Sequence, residues 1–444
     1  MTSTSHAPIV VIGGGIAGLT AAALLGRTGA PVVLVEKTSA LGGRAATRDR
    51  SGFLFNLGPH ALYRAGALRK TLTSLGVDVR GGVPTSNGGY AIRGGRRHTL
   101  PAGFASLLTT GLLTLSGKLE FARFQSRLAH LDTAAIADET LASWLTSNVG
   151  DAILPQVLQM LVRVTTFTND PERQSAGAAL DQLQLGVRAG VLYVDGGWQT
   201  IVDGLRGVAL ASGVRIISGA HAVALERARA GDVDAVRLAD GSAVRASGVI
   251  IAAGPADVDA LAGTRFATDT PSPIRVATLD VALRSLPQPR ATVAFGVDTP
   301  VYFSVHSAIA KLAPDGGAMI HVSKYMWPGE VAGHGDEVEL ETVMEMMQPG
   351  WRDLVVAKQY LPSLTVTHAG ITAAQGGLTG RPPSRAATFD NVWIAGDWVG
   401  PRGQLSDASA ASASEAARLA ADLAVRPHGR RAVSPTVRMA ERAS

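Results

Sequence analysis

At 444 residues the chain has room for two or three domains or one large discontinuous unit. Apolar residues make up 46% and charged residues 17%, with 51 Gly and 22 Pro, which excludes a disordered chain, a collagen-like repeat and a charge-rich coiled coil. Cysteine is absent, so disulfides, thiolate metal sites and a cysteinyl cofactor link are excluded, and any redox chemistry must belong to a bound cofactor.

Residues 8–12 (PIVVI) break into Gly13-Gly14-Gly15-Ile16-Ala17-Gly18 and then into an alanine- and leucine-rich stretch ending at Leu25, the pattern of strand, tight turn and helix. A second β-branched run, 31–36 (PVVLVE), completes a βαβ unit whose strands read as buried on both faces, as in a parallel sheet. From 67 to 189 the pattern is helical except over 81–100, where Gly88-Gly89 and Gly94-Gly95 predict hairpin-like turns. Residues 214–225 and 234–253 return to strand, the second ending in Val249-Ile250-Ile251. Three further strands over 274–283, 301–307 and 318–325, then a polar helix over 336–347, predict a second, mixed sheet. Residues 391–395 (NVWIA) read as a last buried strand and 406–424 as an alanine-rich helix. The tail 426–444 holds five arginines against Glu441 and supplies +4 of the formal charge of +5, so the body has no basic footprint and no nucleic-acid partner is expected. No run approaches the ~18 apolar residues of a membrane span, and the first eight residues lack a signal pattern, so a cytoplasmic protein is the expectation.

The Gly13-x-Gly15-x-x-Gly18 spacing has a mechanical meaning. Gly13 permits a sharp turn, Gly15 lets backbone amides approach a pyrophosphate, and Gly18 allows close packing of helix on sheet. The helix start adds unpaired N–H groups and positive dipole. Glu36, 18 residues after Gly18 at the end of the next strand, is placed to accept both ribose hydroxyls of an adenosine. Gly42-Gly43-Arg44 offers a second bare backbone with a guanidinium for phosphate, and Leu57-Gly58-Pro59-His60 a third bare segment. Far along the chain, Gly396-Asp397 ends a strand shortly before a helix, where a carboxylate can bond a ribityl or phosphate group and a helix start can face a reduced flavin. A long cofactor touched by segments this far apart is FAD rather than NAD.

The segments GGGIAGLTAA, VEKTSALGGRA and WIAGDWVGPRGQLSDASAASASEAA resemble the FAD-binding flavoproteins of the amine oxidase, protoporphyrinogen oxidase and phytoene desaturase superfamily. Residues 196–205 and 375–382 are most similar to its phytoene-dehydrogenase-related branch. The resemblance implies an α/β fold, α+β overall, with a discontinuous glutathione-reductase-type Rossmann FAD domain (1–66, 191–265 and 381–425). It also implies a mixed-sheet substrate-binding domain (67–100 and 266–380), a helical insertion (101–190) and a basic, disordered tail (426–444). It implies noncovalent FAD held by Gly13, Gly15, Gly18, Glu36, Gly43, Arg44, Gly58, Asp397 and the Leu405 backbone, with Val223 on the adenine side. Around these, Ile16, Ala17, Lys37, Gly42, Leu57, Pro59, His60, Ala253, Gly396, Gln404 and Ala408 complete the expected cofactor contacts. No metal is expected.

A flavin accepts hydride itself, so the protein need only position a C–H bond and receive a proton. His60 is one candidate for the proton. Strand alternation sends Tyr302, Ser304 and His306 to one face and Met319, His321, Ser323 and Tyr325 to one face of the next strand, so His306, His321 and Tyr325 are further candidates. These stripes either line a substrate cavity or meet solvent. Trp198, Trp327 and Trp398 read as core. The apolar stretch 100–124 either packs within the helical insertion or forms an outer face for peripheral membrane contact.

The expected reaction is dehydrogenation of a small or lipophilic organic substrate, forming C=C or C=N, with oxygen or a quinone as electron acceptor because no second Gly-x-Gly-x-x-Gly unit is present. The alternatives are an amine or amino-acid oxidase, disfavoured because Lys324 is the nearest lysine in the relevant strands, a redox-neutral flavoprotein isomerase, and a non-enzymatic carrier similar to the Rab GDP-dissociation inhibitors. Oligomeric state is open.

Overall fold

The run Ile9–Ile12 is buried throughout and pairs in parallel with Val32–Glu36 on one side and Gly248–Ile251 on the other. Arg215–Ser218 and Val392–Ile394 extend this to a five-stranded, all-parallel sheet. The structure, a computed structural model, describes residues 7–85, 88–228, 231–263, 270–386 and 388–425, so the basic tail lies outside the described residues. Buried residues of the helices Ile16–Arg27, Gln199–Ala211 and Leu405–Val425 cover one face of the sheet. A three-stranded antiparallel sheet (Ala222–Arg227, Val233–Leu238 and Ala243–Arg245) and the helix Pro255–Ala262 cover the other. The chain leaves Ile9–Ile12 for one neighbour and later returns to the other, so a crevice opens at the carboxyl ends of these strands, where such sheets bind ligands.

The second sheet has seven strands. In spatial order they are Val355–Thr367, Ile274–Leu283, Ala318–Tyr325, Val301–Val305, Val293–Gly296, Tyr90–Arg93 and Arg96–Thr99. It is mixed: Val293–Gly296 runs parallel to Tyr90–Arg93 and the other pairings are antiparallel. The helix His334–Met347 packs on one face. Helices between Phe104 and Ala189 pack against Val276, Phe295, Tyr302 and Tyr325 on the other.

Two expectations change. The 13-residue strand Val355–Thr367 was not expected, because Pro362 interrupts it; as an edge strand it tolerates the missing donor. The helix Ala67–Ser74, expected to open the substrate-binding part, buries Leu68 and Leu72 in the cluster beneath the parallel sheet. In the 100–124 stretch Leu107, Leu112, Leu113, Phe121 and Phe124 are buried, whereas Phe104, Leu108, Leu115 and Leu119 are exposed. Among the described residues no helix is long and apolar enough to cross a membrane.

Candidate cofactor and active site

A cavity of about 750 Å³ runs from the parallel sheet to the seven-stranded sheet. One end is built from backbone. Gly13 sits at φ +106°, and a Cβ there would strike the Ala252 carbonyl. Gly18 does not line the cavity: it lets the helix lie directly on the Gly13 carbonyl, so its role is packing. A side chain at Gly15 or Gly43 would meet no protein atom nearer than 3.8 Å and would project into the cavity. That is the cradle an extended pyrophosphate needs, and a helix start faces it. Glu36 accepts the Gly14 amide at 2.6 Å and the Thr38 amide at 2.8 Å, which fixes its carboxylate on the cavity wall. Lys37, Val223, Ala253 and Gly42 also line this end, together with His221 and Asp257, which sequence reasoning missed.

Midway, three ionisable side chains meet. Arg44 pairs with Asp397 at 2.7 Å and donates to the Val366 carbonyl at 2.5 Å. His368 Nδ1 lies 3.0 Å from the same carboxylate. Burial raises the Asp397 pKa, but the charges of Arg44 and His368 outweigh it and hold the group at about 2. Arg381 donates to the Asp397 carbonyl at 3.1 Å and to Gly403 at 2.8 Å, tying the strand end to the start of the Leu405–Val425 helix. Leu405, at φ +53°, and Ser406 bring that start to the cavity beside Gly396. Gln404 and Ala408 are corrections: both are buried off the cavity, Gln404 donating to the Ala178 carbonyl at 2.6 Å. His368 follows the unexpected strand, and nothing in its spacing links it to Asp397.

The far end is apolar. Leu57, Pro59, Phe167, Trp198, Val276, Leu364 and Val366 form the wall, so Trp198 is cavity lining as well as core. Trp398 is buried and Trp327 half-exposed. Phe167 caps the Leu154–Thr166 helix in the left-handed conformation, φ +60°, which is costly for a bulky residue and recurs at functional sites. Its ring stands edge-on to Tyr325 at 5.8 Å.

The expected proton acceptors are corrected here. His60 lines the cavity, yet its Nδ1 lies 3.0 Å from the Gly58 carbonyl and its Nε2 3.1 Å from the Arg44 carbonyl, so both ring nitrogens face backbone. Burial lowers its proton affinity further. His306, His321 and Tyr325 are buried and do not reach the cavity. Their stripes are neither cavity wall nor wet surface: Phe53, Phe55 and Tyr193 roof part of that face, and the Gly58 amide reaches down to Asp280 on it. Gly58 accordingly faces the sheet, its Cα backed by Leu364 and Thr278. Lys324 is bound to Asp336, Glu330 and Glu339, away from the cavity.

Residues 16–422 match the family of flavin containing amine oxidoreductases. The chain belongs to that family. Similar proteins include a carotenoid 3,4-desaturase of Haloarcula japonica, 48% identical over 59 residues, 13% of this chain and 12% of that protein. A phytoene desaturase of Cercospora nicotianae is 38% identical over 80 residues, 18% of this chain and 13% of that protein. These aligned segments span a small part of either relative. An oxidoreductase structure from Methanosarcina mazei shares the fold, with a TM-score of 0.72 and 19% identity over 92% of this chain and 99% of that one. The family is one of flavin-containing oxidoreductases.

Proposed function

We propose that the protein dehydrogenates a lipophilic organic substrate, forming a C=C bond, and that FAD lies along the cavity with its adenosine by Glu36 and Val223. In this reading the pyrophosphate rests on Gly13 to Gly15, Gly43 and Arg44, and the flavin ring at the apolar end. When bound, the flavin supplies the hydride acceptor. The chain's own contribution is to orient the substrate C–H bond by packing and to exclude water there. The observation that carries the reading is the apolar wall of Leu57, Phe167, Trp198, Val276, Leu364 and Val366, which offers no carboxylate or lysine to a charged amine. The two carbonyls beside His60 support it, because each ring nitrogen faces the backbone rather than the space a substrate C–H bond would occupy. The open sides of Gly15 and Gly43 speak against a flavin-free carrier.

The test begins with purified protein reduced anaerobically and exposed in turn to air and to a soluble quinone. Lipophilic alkenes and polyenes are then offered alongside primary amines. Flavin bleaching by the hydrocarbons with slow reoxidation in air is expected. Peroxide release with amines would replace this reading by an amine oxidase, and product formation without net oxidation would replace it by an isomerase.

A further inference from the structure

Asp280, His321 and His306 are ionisable, at most 1% exposed and absent from the cavity wall. Asp280 and His321 face each other across adjacent antiparallel strands, His321 Nδ1 lying 2.6 Å from one carboxylate oxygen. The other oxygen accepts the Gly58 amide at 3.4 Å. Gly58 belongs to the loop whose neighbours Leu57, Pro59 and His60 form the cavity wall. The contacts continue outward: His60 lies between the Gly58 carbonyl at 3.0 Å and the Arg44 carbonyl at 3.1 Å, and Arg44 forms an ion pair with Asp397 at 2.7 Å. Asp280 thus grips the back of the loop whose front faces the cavity.

A carboxylate in a sheet interior is expensive, and an apolar residue of similar size would stabilise the fold as well or better. His321 Nδ1 faces this carboxylate and its Nε2 has no hydrogen-bond partner among the described residues, so a carboxylate and an imidazole are sealed together inside the sheet. His306, stacked on Tyr193 at 3.9 Å and edge-on to His321 at 4.6 Å, adds no compensating cation, since burial first and the neighbouring histidines next disfavour its protonation. Burial lowers the proton affinity of His60, and the Asp280 carboxylate behind the wall opposes that lowering.

We propose that Asp280 is a positioning residue of the flavin site, holding the 57–60 loop from behind and placing a buried negative charge, paired with His321, that restrains how readily the bound flavin takes electrons. Reduction adds two electrons and one proton to the ring and leaves it one unit more negative. A carboxylate behind the loop opposes that change, more strongly in a low-dielectric interior than in water.

The experiment uses the full-length protein reconstituted with FAD and no substrate, so its failure leaves the proposed reaction untouched. Asp280→Asn keeps an acceptor for the Gly58 amide and removes the charge; Asp280→Leu removes both. FAD affinity is read from flavin fluorescence during titration with apoprotein. Redox poise is read by equilibrating the flavin with a reference dye during slow enzymatic reduction. The Asn variant should bind FAD within about threefold of wild type and show about tenfold more reduced flavin at a fixed dye potential, whereas the Leu variant should bind FAD at least tenfold more weakly. A change in the reduced-to-oxidised ratio below threefold for Asn overturns the proposal. If that variant does not load FAD, Asp280→Leu read at saturating FAD carries the same test, because it also removes the carboxylate, with the same expected direction and threshold.

Discussion

The two ends of the cavity are built by different means. At the nucleotide end the wall is backbone: glycines without side chains, a helix start, and a carboxylate pinned by two amides. At the far end the wall is side chain, assembled from a helix cap at Phe167, a helix start at Trp198 and two neighbouring strands at Val276 and Leu364. Backbone recognition tolerates little change and suits a cofactor that never varies. Side-chain packing can be re-cut for a new substrate without disturbing the cradle, which is how one fold serves many chemistries.

That contrast can be broken in measurable steps. The largest effect is expected from Gly15→Leu. At φ −81° this position accepts any residue, so circular dichroism should be unchanged, while the added side chain fills the cradle and lowers FAD affinity by about a hundredfold or more, leaving a colourless protein. Asp397→Asn comes next. Losing the partner of Arg44 and His368 should weaken FAD binding by about tenfold in fluorescence titrations. The same residue gives a pH signature in the apoprotein. Its folded pKa of about 2 lies below the ordinary value of 3.8, so it adds on the order of 2 kcal/mol of stability above pH 4, lost as pH falls toward 2. Thermal melts of wild type should show that acid loss and melts of the Asn variant should not.

At the other end, Phe167→Ala should leave FAD affinity within about threefold and change kcat/KM for a lipophilic substrate by about tenfold; a comparable loss of FAD would show that the two ends are not separable. The smallest effect is expected from Asp407→Asn. Burial pushes Asp407 up to about 6, with the Leu68 amide opposing only in part, so the charged form weakens the fold as pH rises through 6. The variant should gain about 1–2 kcal/mol over wild type at pH 8 and nothing at pH 4, in paired denaturant titrations.

The nucleotide end was legible because its signals are local. Gly13, Gly15 and Gly18 fall within six residues, Glu36 ends the next strand, and Asp397 follows a short buried run. Each requirement, a sharp turn, a close approach, a carboxylate at a strand end, is met by one residue type at one spacing. Gln404 and Ala408 were misplaced because a helix start shows which residues are near the site but not which way each side chain turns. Alternation grouped His321 with Tyr325 on one strand face, whereas His306 lies past the end of Val301–Val305 in a 3-10 turn, and the pattern could not say what covers them. The cover comes from segments more than a hundred residues away, and no periodicity reports such distant packing.

The sequence by itself therefore determined the glycine cradle, the parallel sheet beneath it and the absence of cysteine chemistry, because turns, buried strands and composition depend on near neighbours. Only the tertiary structure decided that the histidines lie behind the cavity wall, that His368 joins Arg44 and Asp397, and that Phe167, Val276 and Leu364 meet at the substrate end. These depend on which distant segments close over one another, a choice made by packing of the whole chain.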